Sequence, residues 1–201
     1  MSQLIDEKNI TNISQKYLLK TNKKWFEFYS KYIQKEGKII HIGNGFGYAT
    51  LLLTEKNPNV IALDISVSED TINKEDVILY DGVTIPYHDE AFDMLLCDYV
   101  IHHTPRPYEF LNELKRVVKK DGIVVIIEQT YENLFQRIKL IYSCWKQNRV
   151  AGQNVKIYPS SYFSRRKLRQ TFEYLHLSVI DILTQKRKSS FTEVFILRRL
   201  D

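Results

Sequence analysis

Three features of the sequence predict a doubly wound α/β fold: a mainly parallel, seven-stranded sheet with helices on both faces and a C-terminal antiparallel hairpin. Short apolar runs alternate with helix-compatible segments between residues 38 and 128, the order that builds crossover connections and a parallel sheet. Glycines at alternate positions, Gly43, Gly45 and Gly47, stand between the apolar run Ile39 to Ile42 and the helix-compatible run Tyr48 to Glu55, as a strand, a tight turn and a helix start require. Two further strand-like runs, near 177–184 and 191–198, close the chain with no helix between them.

The elements follow in order. Residues 6–36 read as two helical segments broken near Thr21-Asn22, with Leu18, Leu19, Trp25, Phe26, Phe28, Tyr29, Tyr32 and Ile33 forming an apolar face. Strand 38–42, helix 47–56, strand 60–64, strand 77–81, strand 92–97, helix 106–120 and strand 122–128 come next. A helical run through Trp145, a loop over 150–161 and a basic helix over 164–175 precede the closing strands. In that basic helix Leu168, Phe172 and Leu175 are spaced to be buried, while Arg165, Arg166, Lys167 and Arg169 supply charge. Lys186-Arg187-Lys188 is expected in the hairpin loop, where solvated charge is the usual finding and protection of a sheet edge a further use.

With 201 residues and 44% hydrophobic content, the chain has the material for one domain with a substantial core. No apolar stretch approaches the roughly 20 residues that cross a bilayer, and the start Met1-Ser2-Gln3-Leu4 lacks the basic-then-apolar layout of a signal, so a soluble, cytoplasmic protein is expected. Cys97, on a strand, and Cys144, on a helix, show no metal-ligand or redox spacing; reduced thiols and no metal site are the expectation. The net charge of +5 is uneven, for residues 145–201 carry +8 and residues 1–144 carry −3. Such asymmetry fits a solvated helix face or an anionic partner.

The glycine turn points to a nucleotide-like cofactor, because glycine lets a ligand approach the backbone and a helix N-terminus presents unpaired N–H groups. The second strand ends in Asp64, where a carboxylate suits a ribose diol. The G-x-G-x-x-G/A fingerprint fails, since Tyr48 or Thr50 occupies the third place, and a pyrophosphate site is disfavoured.

Over roughly residues 36–128 this ordered set resembles the class I S-adenosylmethionine-dependent methyltransferases, in particular the small type 11-like group. The marks are the glycine turn, Asp64, Asp81-Gly82, the Pro86 loop, Phe92 to Cys97, Ile101-His102-His103, and Glu113 to Gly122. The resemblance implies a Rossmann-like methyltransferase fold with S-adenosylmethionine as cofactor. It divides the single domain into an N-terminal helical cap (1–36), a cofactor-binding core (37–128) and a lid segment with closing strands (129–201). It places Gly43, Gly45, Gly47 and Gly82 along the cofactor, with Asp64 on the ribose, Ile65 on the adenine ring and Asp81 at the adenine amino group. Cys97 and Asp98 would line the methionine end. The family begins its glycine turn with an acid, and here His41 takes that position beside the cofactor; Asp121-Gly122 replaces the family's Pro-Gly.

Methyl transfer is an in-line displacement governed by positioning. His102 and His103 are the candidate general bases, since imidazole titrates near neutrality. Tyr131, Tyr162 and Arg165 are candidate substrate residues, and the acceptor is expected to be a small molecule, anionic if the basic helix faces the pocket. A non-catalytic cofactor-binding or partner protein, a same-fold enzyme using the cofactor for other chemistry, and a nucleic-acid methyltransferase are the alternatives. The last is not favoured, because the chain lacks a recognised nucleic-acid motif.

Overall fold

The computed structural model describes residues 13–150, 156–188 and 190–201. Five strands run parallel: β1 (Ile39–Ile42), β2 (Val60–Asp64), β3 (Val77–Leu79), β4 (Phe92–Asp98) and β5 (Val118–Thr130). Two more, β6 (Leu177–Lys186) and β7 (Phe191–Arg199), pair antiparallel with each other, and β7 also pairs antiparallel with β5. The spatial order is β3-β2-β1-β4-β5-β7-β6. The chain reverses its direction of travel across the sheet between β1 and β4, and a crevice outside the strand ends at such a point is where open α/β sheets bind ligands.

The helices are α1 (Ile13–Tyr29), α2 (Tyr48–Lys56), α3 (Pro107–Val117), α4 (Leu134–Val150) and α5 (Arg165–Tyr174). Strand alternation decides which face each residue serves. Ile40, Ile42, Leu95, Cys97, Val124 and Ile126 point to one face and pack with Phe110, Leu111 and Leu114 of α3 and with Leu168 and Phe172 of α5. Ile39, Met94, Leu96, Val125 and Ile127 point to the other, against Trp25 and Tyr29 of α1 and Ala49 and Leu53 of α2. Nearly continuous apolar strands are what a sheet covered on both faces demands.

The structure differs from the expected elements at three places. The break near Thr21-Asn22 does not occur: α1 runs through it, because Thr21 Oγ1 donates to the Tyr17 carbonyl at 2.8 Å and Asn22 Nδ2 to the Leu18 carbonyl at 3.0 Å, turning both polar side chains back onto the helix. The part of this expectation covering residues 6–12 lies outside the described residues. The helix expected over 106–120 stops at Val117, and 118–121 is already strand: Val118 pairs with Phe92, Lys119 Nζ meets Asp93 Oδ1 at 2.7 Å, and Asp121 takes φ 61°. The register shift between Phe92 and Met94 absorbs the extra residues. β3 is shorter than the expected 77–81, ending at Leu79 on the sheet edge. The basic helix has its expected buried face, with Leu168, Phe172 and Leu175 all buried, and Ser164 caps it by accepting the Lys167 N–H at 3.2 Å.

α1 also braces the ligand end of the sheet. Leu18 and Leu19 pack with Phe46, Tyr48 and Ile72, so the helix leans on the glycine turn and on the first residue of α2.

Candidate functional site

The turn between β1 and α2 is built from backbone that only glycine adopts readily: φ is 87° at Gly43, 53° at Gly45 and 87° at Gly47. The glycines nevertheless serve different ends. A Cβ on Gly43 would lie 2.3 Å from Val100 Cγ2 and 2.7 Å from the Asp98 carbonyl, so this position is small because the segment after β4 packs onto it. A Cβ on Gly45 would meet nothing within 4 Å, so here the missing side chain leaves open space above the turn. β2 holds the turn in place: the Leu63 carbonyl accepts from Gly43 N–H (3.0 Å) and Asn44 N–H (3.3 Å), and Asp64 Oδ2 accepts from Gly45 N–H at 2.8 Å. Asp64 Oδ1 takes the Ile65 N–H at 2.7 Å. A carboxylate offers about four lone-pair sites, so Asp64 is oriented by the backbone with acceptor capacity left.

His41 lies beneath the turn. It shares the face of Ile39, is fully buried, and its Nδ1 is 2.7 Å from Thr50 Oγ1, which in turn donates to Asn44 Oδ1 at 2.6 Å. Burial pushes the imidazole down to about 3, so the ring is neutral. The donor order assigns the proton to Nδ1 and leaves Nε2, which has no hydrogen-bond partner among the described residues, as an acceptor. In place of a fixed negative charge, the chain has a neutral relay that ties β1, α2 and the turn together.

Ile65, half exposed, lies beside Gly82, where a Cβ would be 3.0 Å from Ile65 Cγ2. Asp81 Oδ1 accepts the Val83 N–H (2.8 Å) and Thr84 N–H (2.7 Å), and these bonds hold its carboxyl below the usual range. Cys97 is buried in the core, its thiol pushed well up by burial, so its side chain offers the ligand crevice nothing. Asp98 is different. It ends β4, its Oδ1 is shielded from solvent without a hydrogen-bond partner among the described residues, and burial, helped by the nearby Glu128 charge, pushes its carboxyl up to about 7. An unpartnered buried acceptor is costly unless something occupies its hydrogen-bonding direction.

Past Asp98, the turn Ile101–His103 carries the two histidines, with ring centroids 4.1 Å apart. His102 is buried and its Nδ1 lies 2.6 Å from Glu128 Oε1, near the end of β5. Burial alone would lower this imidazole, but the Glu128 carboxylate outweighs it and holds the ring above its ordinary value. His103 Nδ1 faces the Lys156 carbonyl at 3.3 Å. Cys144, on α4, comes to the same place; burial would raise its thiol, but hydrogen bonding with His102 and His103 carries it down to about 6. Tyr162 stacks at a tilt on His102, centroids 5.2 Å apart.

The other two candidate substrate residues lie elsewhere. Tyr131 and Arg165 line a separate open groove of about 540 Å³ with Glu132, Ser164, Arg166 and Arg169. Its charge is largely balanced, because Arg165 pairs with Glu132 (2.8 Å) and with the buried Glu193 (3.0 Å), and Arg169 approaches Glu193 at 3.6 Å. The structure thus joins the glycine turn to Asp64, and His102 to His103 and Tyr162, but not Tyr162 to Tyr131 and Arg165. The sequence alone does not mark Glu128 and Cys144 as partners of the histidines. A lone acid in an apolar strand was the available signal for Glu128, and nothing local marked Cys144.

Comparison with known proteins bears on the family and the fold. Residues 40–126 match a family described as a methyltransferase domain. An uncharacterized methyltransferase of Staphylococcus carnosus is 30% identical over 105 residues, 49% of this chain and 50% of that protein. A demethylmenaquinone methyltransferase of Thermotoga maritima is 25% identical over 154 residues, 73% of this chain and 64% of that protein. The chain therefore spans less than two thirds of either relative. The crystal structure of an S-adenosylmethionine-dependent methyltransferase from Methanosarcina mazei superposes with a TM-score of 0.63 at 13% identity, covering 86% of this chain and 97% of that one, a likeness of fold.

Proposed function

We propose, on the support of the match of residues 40–126 to a methyltransferase domain, that this chain is a class I methyltransferase that transfers a methyl group from S-adenosylmethionine to a small-molecule acceptor. Asp98 carries the reading: its unpartnered, buried carboxylate oxygen at the end of β4 fits the cationic methionine end of this cofactor. The rest of the donor set is consistent with it. The open space over Gly45 admits the cofactor against the backbone, Asp64 accepts from the ribose hydroxyls, exposed Ile65 beside Gly82 offers an apolar seat for adenine, and Asp81 accepts from its amino group. His41 contributes by stiffening the turn through Thr50 and Asn44.

When bound, S-adenosylmethionine supplies an electrophilic methyl carbon. The chain's residues hold the acceptor in line with it, keep water away and take up the acceptor's proton. Alignment contributes roughly 7–11 kcal/mol in well-oriented systems. His103, just beyond Asp98, is the group placed to take the proton on this side of the crevice, with the His102 ring beside it. His102 is locked to Glu128, which leaves His103 the more accessible ring.

Isothermal titration with S-adenosylmethionine and S-adenosylhomocysteine tests the proposal. Binding at one site per chain, weakened by Asp64→Ala, is expected. Absence of binding to either compound would overturn it and favour a non-catalytic partner protein.

A further inference from the structure

The histidine pair and Cys144 make up more than a proton relay. One ligand atom from each of His102, His103 and Cys144 lies within 4.8 Å of the others. Each histidine has its Nδ1 turned to an acceptor, His102 to Glu128 Oε1 at 2.6 Å and His103 to the Lys156 carbonyl at 3.3 Å. That arrangement commits Nδ1 of each ring to an acceptor behind it and turns Nε2 the other way, which is how metal-bound histidines are oriented, and a cation binding at Nε2 would displace whatever proton that nitrogen carries. The third donor, the Cys144 sulfur, comes from α4.

We infer that His102, His103 and Cys144 form a binding site for a zinc-type divalent cation, with Glu128 orienting His102 from behind. Two imidazole nitrogens and a thiolate are the donors a borderline-soft ion prefers over magnesium or calcium. Tetrahedral zinc, with Zn–N near 2.0–2.1 Å and Zn–S near 2.3 Å, sets its ligand atoms roughly 3.3–3.6 Å apart, a spacing that donors already within 4.8 Å of one another reach by small side-chain movements. His103 and Cys144 are only partly buried and have room to make that movement. Three protein ligands leave the fourth position open to water or to a donor atom of a small molecule. The cation would also fasten α4 to the segment after β4. The inference draws on the proposed methyltransferase reading only in calling this the acceptor side.

The test uses the full chain, reduced and stripped with chelator, titrated with zinc against a competing indicator and with cobalt followed by absorption. One zinc per chain is expected, as is a cobalt spectrum with tetrahedral d–d bands and a thiolate charge-transfer band. Cys144→Ser and His103→Ala should each weaken zinc at least tenfold and Glu128→Gln by roughly 10–100-fold, whereas His176→Ala, at an exposed histidine elsewhere, should leave affinity unchanged. Zinc affinity unaltered by Cys144→Ser, no uptake by the wild-type chain, or a cobalt spectrum without the thiolate band would each overturn the assignment. The cobalt spectrum is read on the wild-type chain and does not depend on any variant folding. Zinc uptake is measured without cofactor and S-adenosylhomocysteine binding without zinc, so either reading can fail alone.

Discussion

Gly43 and Gly45 stand two residues apart in one turn, yet alanine at each should fail for a different reason. At Gly43 the added Cβ meets Val100 Cγ2 at 2.3 Å and the Asp98 carbonyl at 2.7 Å, with φ at 87°. The left-handed backbone costs an alanine roughly 1–2 kcal/mol, and overpacking adds roughly 1–3 kcal/mol, so Gly43→Ala should lose about 2–5 kcal/mol of stability. At Gly45 only the backbone cost applies, roughly 1–2 kcal/mol, because nothing lies within 4 Å of the new methyl. That methyl projects into the space assigned to the cofactor, so the Gly45 variant should instead lose S-adenosylhomocysteine affinity out of proportion to stability. Urea unfolding and isothermal titration of both variants separate the two effects. Adding Val100→Ala to Gly43→Ala should recover part of the loss, since it removes the side-chain clash and leaves the carbonyl one. Equal destabilisation of the two single variants, or wild-type affinity in Gly45→Ala, would refute the division of labour.

Asp98 should give the stability curve a distinctive pH segment. Its carboxyl rises from 3.8 to about 7 on folding, so between those values the folded chain holds a proton the unfolded chain has lost, and stability falls as pH rises to about 7 and then levels. Asp98→Asn should remove that fall and lower affinity for S-adenosylmethionine by roughly ten- to a hundredfold, the worth of a hydrogen bond to a charged group; a variant with an unchanged pH profile in denaturant melts would contradict this. His41→Asp, although it installs the family's acid, should destabilise the chain by a few kcal/mol, roughly the cost of a buried charge without a cation, because the position is fully buried beside Thr50; tighter cofactor binding at unchanged melting temperature would be evidence against it. Arg116 ties down the 85–90 loop through the Ile85 and Tyr87 carbonyls, Asp89 and Glu113, so Arg116→Ala should cost about 1–3 kcal/mol at a partly exposed site and Arg116→Lys should not rescue it, as thermal melts will show.

What could be read from the sequence was local. The glycine turn, Asp64 and the strand positions declare themselves through spacing within a few residues, and β2 occupies the expected 60–64. The absence of the expected break in α1 and the early end of α3 have the opposite character. Thr21 and Asn22 resemble a helix stop until their side chains bond back to the preceding turn, and Val118-Lys119-Lys120 resembles helix until β4 pairs with it. The companions of the histidines were beyond reach for a similar reason. Glu128 and Cys144 meet His102 only after β5 and α4 have packed, and no periodicity in the chain encodes that meeting.

The position of β7 bears on how the sheet is completed during synthesis. It follows β6 in the chain, yet in the sheet it lies between β5 and β6. Until Phe191–Arg199 has cleared the ribosome, β5 lacks its partner on that side and β6 has none, and both expose unpaired backbone that recruits other strands. The pairing that seals the sheet also joins β5 to a strand more than sixty residues later, a distant contact of the kind that slows folding. Nascent chains halted before Phe191 should therefore be the aggregation-prone species, and β7 acts as the latch that retires them.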